Sequence, residues 1–276
     1  MLLVDTFNRY FEPENARAAI RVLQAAGYRV HAAQPVQEDG AAALLWPDFL
    51  SAGLIEEART EARRMLDALE PWLAHGIPII GLEPSCLYML TRRIRRAAAG
   101  DRAPGRSTPC CSKSFSRPKP MPGASKLKLK PIAERGAAAR PLPPEGVRRD
   151  GCGRARLRLV PGLNVTTVES SCCGMAGSFG YEAEHYDVSM KMGEASLLPA
   201  VRKAVRRTRW SLPTARAAGT RSSIGAQRQA LHVARVLEQR SPSARSRLLP
   251  QFDRLAAPAQ PLAARLQVAL ERGSRR

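Results

Sequence analysis

The run Ser170-Ser171-Cys172-Cys173-Gly174-Met175-Ala176-Gly177-Ser178-Phe179-Gly180-Tyr181 holds the most distinctive chemistry of this chain. Adjacent thiols bond each other only with strain, yet both can bind one metal centre. The three glycines allow the backbone to curl close to something bulky. A β-like stretch, Leu163 to Val168, leads into the loop. Two readings follow: a buried cysteine pair ahead of a helix, or half of an iron–sulfur ligand set. A thiol-redox or zinc site is a third use of the same pair, since thiols near a helix N-terminus ionise more readily. Cys86, Cys110, Cys111 and Cys152 complete the six cysteines.

The first ninety residues are patterned as elements that would carry such a loop. Leu2-Leu3-Val4 reads as a short buried strand ending at Asp5. Pro13 opens a helix in which Ala16, Ala19, Ile20 and Leu23 recur at helical spacing, and Gly27 closes it. Tyr28 to His31 reads as a second strand. Ser51 caps the next helix, whose apolar face is Leu54, Ile55, Ala58, Ala62, Met65, Leu66 and Leu69, with Gly76 at its end. Ile77 to Gly81 is a third strand that stops at Glu83-Pro84-Ser85-Cys86. Strand, helix, strand, helix, strand predicts a parallel α/β unit. Order resumes near Leu157, with a turn and strand to Val168. A helix follows over Glu182 to Ala204, bounded or kinked at Pro199, and a shorter one over Ala230 to Leu237. Leu262 to Leu270 is a weak amphipathic stretch in an otherwise polar tail.

Charge separates these regions from the rest. The chain carries +20, but residues 1–90 are net −5 and residues 161–200 net −4. Residues 91–160 are net +15 and residues 201–249 net +11. The positive charge thus lies in Pro-, Arg- and Ser-rich stretches without aromatic residues at reading positions, which argues against a nucleic-acid surface. The default reading of such stretches is a disordered basic linker. No apolar run approaches the roughly 20 residues of a membrane span, and the start, Met1-Leu2-Leu3-Val4-Asp5, does not read as a signal peptide. A cytoplasmic location is expected, where thiols stay reduced and serve as ligands or redox groups.

At Cys172-Cys173-Gly174 and Glu83-Pro84-Ser85-Cys86 the chain resembles the cysteine-rich "CCG" region of heterodisulfide-reductase-type iron–sulfur oxidoreductases, such as the glycolate oxidase iron–sulfur subunit and the C-terminal part of fused FAD-linked oxidases. The resemblance covers Leu2–His31, Phe49–Met89 and Leu157–Ala204. It implies two α/β repeats, each with a Cys-Cys-Gly loop and a later cysteine. It implies cluster ligation or thiol redox chemistry, with Cys172, Cys173 and Cys86 as metal ligands and Gly174 beside the cofactor. It also implies electron transfer from a flavin-linked 2-hydroxy-acid oxidase to an acceptor. The FAD-bearing partner or domain and the family's ferredoxin-like motifs are expected upstream of this region, and membrane association through partners only.

Three family motifs are replaced. Leu44-Leu45-Trp46-Pro47-Asp48 stands where Leu-Cys-Cys-Gly-Arg-Thr belongs, Pro141-Leu142-Pro143-Pro144-Glu145-Gly146 where His-Cys-His-Gln-Lys belongs, and Thr214 to Ile224 where a final cysteine motif belongs. The genetic code offers one explanation. The bases GGC CAT TGC CAC CAG AAG GC encode Gly-His-Cys-His-Gln-Lys; regrouped as CCA TTG CCA CCA GAA GGC they encode Pro141 to Gly146. Similar regroupings serve the other two motifs and Cys110 to Gly123. Compensated frameshifts over residues 41–48, most of 91–155 and 205–225 are therefore expected, with Leu127 to Arg135 briefly back in frame. Cys110, Cys111 and Cys152 then match no family position and are not counted as ligands. The expected architecture is a first repeat over 1–90, a linker over 91–155, a second repeat over 156–240 lacking its first and last strands, and a tail over 241–276. A non-functional product of a damaged gene is the remaining alternative. His185 is expected to be a solvated surface residue, His31 and His75 structural, Asp5 and Glu83 loop-orienting or capping groups, and Met175, Met190 and Met192 packing residues.

Overall fold

Leu2–Leu3 (β1) and Ile80–Gly81 (β2) pair in parallel, Leu2 opposite Ile80 and Leu3 opposite Gly81. The computed structural model describes residues 1–5, 7–32, 49, 53–83, 86, 127–132, 135–139, 156–168, 173–175, 179–205, 210–213, 222–227 and 230–245. The chain forms two compact units, one of Met1–Pro13, His31–Lys113 and Leu249–Arg276, the other of Glu14–Val30 and Ser114–Leu248. The helix Pro13–Ala25 (α1), which the sequence places in the first repeat, lies in the second unit from Glu14 onward.

In the first unit, the Leu2 amide donates to the His31 carbonyl at 2.6 Å and Ala32 bridges Leu2. The strand expected over Tyr28 to His31 is thus reduced to one bridge at its end. The amino terminus donates to the Pro78 carbonyl at 3.1 Å, which fixes the start of β1 beside β2. The helix Ile55–Ala74 (α2) buries Ala58, Ala62, Met65 and Leu69, the periodic face read from sequence. Ile55 is exposed and drops out of that face. The helix also starts later than expected. Its N-cap is Leu54, which makes no side-chain cap bond; Ser51 lies outside the described residues. Glu56 and Glu57 occupy the first turn, where the helix dipole favours acids. Gly76, at φ +66, follows the C-cap residue His75 in the left-handed conformation common at helix ends. Apolar periodicity misses Glu61 and Arg64, which are buried on α2 and pair through contacts of 2.9 and 3.1 Å. Two buried charges persist when each neutralises the other.

Among the described residues, the second unit holds three parallel strands in the order β4-β3-β5: Asn164–Val168 (β4), Arg135–Ala139 (β3) and Trp210–Pro213 (β5). Arg135 lies opposite Asn164, and Gly136 opposite both Val165 and Trp210. Two of these strands, β3 and β5, occupy segments expected as linker or as lost strands. Backbone pairing depends on amides and carbonyls rather than on side-chain type, so an Arg-Gly-Ala-Ala-Ala segment can hold a ladder.

The helix expected over Glu182 to Ala204 is two helices, Tyr186–Glu194 (α3) and Leu197–Val205 (α4). Pro199 sits in the first turn of α4, where a missing N–H leaves no intrahelical bond unmade. The break therefore falls just before it. Arg202 of α4 donates to Glu194 at 2.6 and 2.8 Å and to the Gly225 carbonyl at 2.7 Å. Leu197 and Leu198 are fully buried.

One core cluster joins Val22 and Ala26 to Leu127, Ile132, Val160, Leu237 and Ala244. Leu127 and Ile132 come from the stretch read as briefly back in frame. The helix Val233–Arg240 (α5) starts three residues after the expected Ala230. Its N-cap His232 accepts the Ala234 amide at Nδ1, 3.2 Å away. Arg21 of α1 and Glu238 of α5 form an ion pair at 2.5 Å.

Candidate functional site

The strand β4 ends at Val168, and the cysteine loop follows from this carboxyl end of a parallel sheet, the edge at which α/β proteins hold their ligands. Cys172 lies outside the described residues, as do Cys110, Cys111 and Cys152. Cys173 is half-buried, while Met175 two residues on is 2% exposed. Met175 thus anchors the loop as the packing residue expected from sequence. Met190 and Met192 are half-buried on α3.

Between Cys173 and Met175 the chain turns at Gly174, with φ +77. A Cβ there would stand 2.9 Å from the carbonyl carbon and 3.0 Å from the Cα of Ser189, and closer still to its carbonyl oxygen. The Ser189 hydroxyl, fully buried on α3, donates to the Gly174 carbonyl. Gly193, four residues on along α3, is also buried. Val188, next to Ser189 on α3, is 52% exposed. The close approach of loop to helix is made by Gly174 against Ser189 and leaves Val188 outside it. The return limb of the loop closes in the same way. A Cβ on Gly180 would lie 2.7 Å from the Gly174 carbonyl oxygen and 2.8 Å from the Met175 Cα.

Next to Gly180, the Phe179 ring stacks on His185 with centroids 4.3 Å apart and planes 13° from parallel. His185 Nδ1 is 2.7 Å from Glu182 Oε2. His185 is half-exposed, with the Glu182 carboxylate and the Phe179 ring beside it.

The other candidates lie in the first unit. Asp5 and Glu83 follow the paired strands β1 and β2 at their carboxyl ends, and both are buried. Asp5 is a capping group. Its Oδ1 accepts the Asn8 amide at 3.0 Å and its Oδ2 the Asn8 side-chain amide at 2.7 Å, which holds the turn Phe7–Phe11. Burial pushes its carboxyl above the ordinary range, and the Asn8 bonds partly offset this. Cys86, three residues after Glu83, is 7% exposed. His31 lies against Trp72 with ring centroids 4.8 Å apart, and His75 Nδ1 is 2.6 Å from the Pro71 carbonyl oxygen; both have the structural roles expected.

Among the described residues no three His, Cys, Asp or Glu side chains converge on a metal position. The donor chemistry of the loop suits a soft metal, but Cys172 and Cys173 are two thiols, where a cluster ordinarily takes four protein ligands, and Cys86 belongs to the other unit. The residues therefore fit part of a cluster site and not a complete one. Sequence reading misses Ser189. Its signal is the pair Ser189 and Gly193, small residues one helical turn apart following a glycine-rich loop.

Among the described residues no helix is long and apolar enough to cross a membrane. No family model matches the chain. A stretch of 193 residues is 24% identical to the C subunit of the anaerobic glycerol-3-phosphate dehydrogenase of Escherichia coli (strain K12), over 68% of this chain and 46% of that protein. Its counterpart from Escherichia coli O157:H7 matches with the same identity and coverage. The chain thus spans about half the length of the curated relatives it matches.

Proposed function

We propose that this chain is an electron-transfer module of the iron–sulfur oxidoreductase type, with two CCG-like α/β repeats, that works beside a flavoprotein dehydrogenase or oxidase in the reducing cytoplasm. The likeness to a dehydrogenase subunit supports the coarse relationship with oxidoreductases. The observation that carries the site is the Cys173-Gly174-Met175 loop, which follows a parallel strand and is tied down on α3. Cys172 and Cys173 would hold a thiophilic centre there; Cys86, in the first unit, is the separate candidate ligand of the first repeat. The thiols fall short of a full cluster set, so a ligand from a partner would have to complete it.

The test is iron and acid-labile sulfide analysis of the full chain after anaerobic purification, alone and with a co-expressed flavoprotein subunit. Iron and sulfide in equal amounts, lost in Cys172→Ser and Cys173→Ser, are expected. One zinc per chain with no iron would move the assignment to a thiol or zinc module. No metal in either preparation would refute the proposal.

A further inference from the structure

We propose that Ser189 is the positioning residue of the cysteine loop: its bond to Gly174 fixes the direction in which Cys173 presents its sulfur, and so sets the loop's affinity for a thiophilic cation. The inference rests on the reading that the Cys172–Cys173 pair binds a soft metal. A serine inside a helix commonly bonds back to a carbonyl of the preceding turn. Ser189 instead donates outward, to the Gly174 carbonyl, from a fully buried position.

Three constraints meet at the residue after Cys173. The Gly174 backbone is held at φ +77. Its Cα faces the Ser189 backbone with no space for a side chain, and its carbonyl is pinned by the Ser189 hydroxyl. Beyond it, Met175 is sealed in the core and Gly180 closes over both residues. Cys173 is half-buried, less enclosed than the residues that follow it. With the following peptide fixed to α3, the sulfur of Cys173 starts from a fixed base instead of a wandering loop. Such preorganisation strengthens ligand binding by lowering the ordering cost.

The test uses the full chain, reduced and anaerobic, titrated with cadmium(II) alone and followed by the thiolate-to-metal charge-transfer band. The band of the unaltered protein should be lost in Cys172→Ser and in Cys173→Ser. Ser189→Ala should bind cadmium roughly three- to tenfold more weakly, the loss expected from one hydrogen bond, and with an altered band. Its far-UV circular dichroism should be unchanged, and Ser189→Thr, which keeps the hydroxyl, should recover most of the affinity. Wild-type affinity and band in Ser189→Ala would overturn the positioning role and leave the metal-site reading standing. A loss of binding that tracks a loss of helical signal, equal in the Ala and Thr variants, would also overturn it by showing a merely structural role. A wild-type chain with no cysteine-dependent band would remove the metal-site reading itself, and the inference with it.

Discussion

Replacing Gly174 by alanine separates a backbone cost from a packing cost. An L-residue held in the left-handed region loses about 1–2 kcal/mol. Gly76, at φ +66 with nothing within 4 Å of the place an added methyl would take, should show that cost alone in Gly76→Ala. At Gly174 the methyl would meet Ser189 backbone atoms at 2.9 and 3.0 Å. Helix backbone cannot rotate aside, so the loop must lift. Lifting breaks the Ser189 bond, about 0.5–1.5 kcal/mol, and exposes part of Met175, whose full burial is worth about 1.5–3 kcal/mol. Gly174→Ala should therefore cost about 3–5 kcal/mol, against about 1–2 kcal/mol for Gly76→Ala. Urea titration of both variants by circular dichroism measures the difference. Since the obstructing atoms belong to the Ser189 backbone, adding Ser189→Gly should not rescue Gly174→Ala. Equal costs at the two glycines, or a rescue, would refute the account of the loop.

Other expectations concern the fold and the gene. Asp5 holds its proton more tightly when folded, so stability of the first unit should fall as pH rises from the unfolded carboxyl range through its raised folded value, then level off; Asp5→Asn should flatten that part of a stability-against-pH curve. Leu198→Ala, at a fully buried position on α4, should cost about 2–5 kcal/mol in a denaturant titration. Sequencing the genomic locus should show DNA that regroups into cysteine motifs over Leu44–Asp48, Pro141–Gly146 and Thr214–Ile224; bases that cannot be regrouped would end the frameshift reading.

Elements with strong local signals are legible in the sequence. Pro13 starts α1, and the face of Ala58, Ala62, Met65 and Leu69 follows directly from helical spacing. What stays hidden is what depends on distant partners. Parallel strands are ordinarily announced by Val, Ile and Leu, and Arg135–Ala139 contains none of these. It reads as linker because its pairing partners, Asn164 and Trp210 among them, lie far along the chain. In the site, the glycines identify the loop because close approach leaves few other choices. Ser189 escapes notice because a serine within a helix has no distinctive pattern until the backbone it meets is known. The Glu61–Arg64 pair is masked by the assumption that charged residues mark the solvent face.

The position of β3 between two later strands carries a consequence for biosynthesis. Arg135–Ala139 leaves the ribosome before either neighbour exists, and its second flank is completed only when Trp210–Pro213 has been made, after α3 and α4. Distant parallel pairing of this kind forms slowly and leaves strand edges open during synthesis. A nascent chain halted between Val168 and Trp210 would display β3 with one edge unpaired. The second unit would then depend on chaperone cover during that interval more than the first, whose strand pair β1 and β2 is complete once Gly81 has emerged.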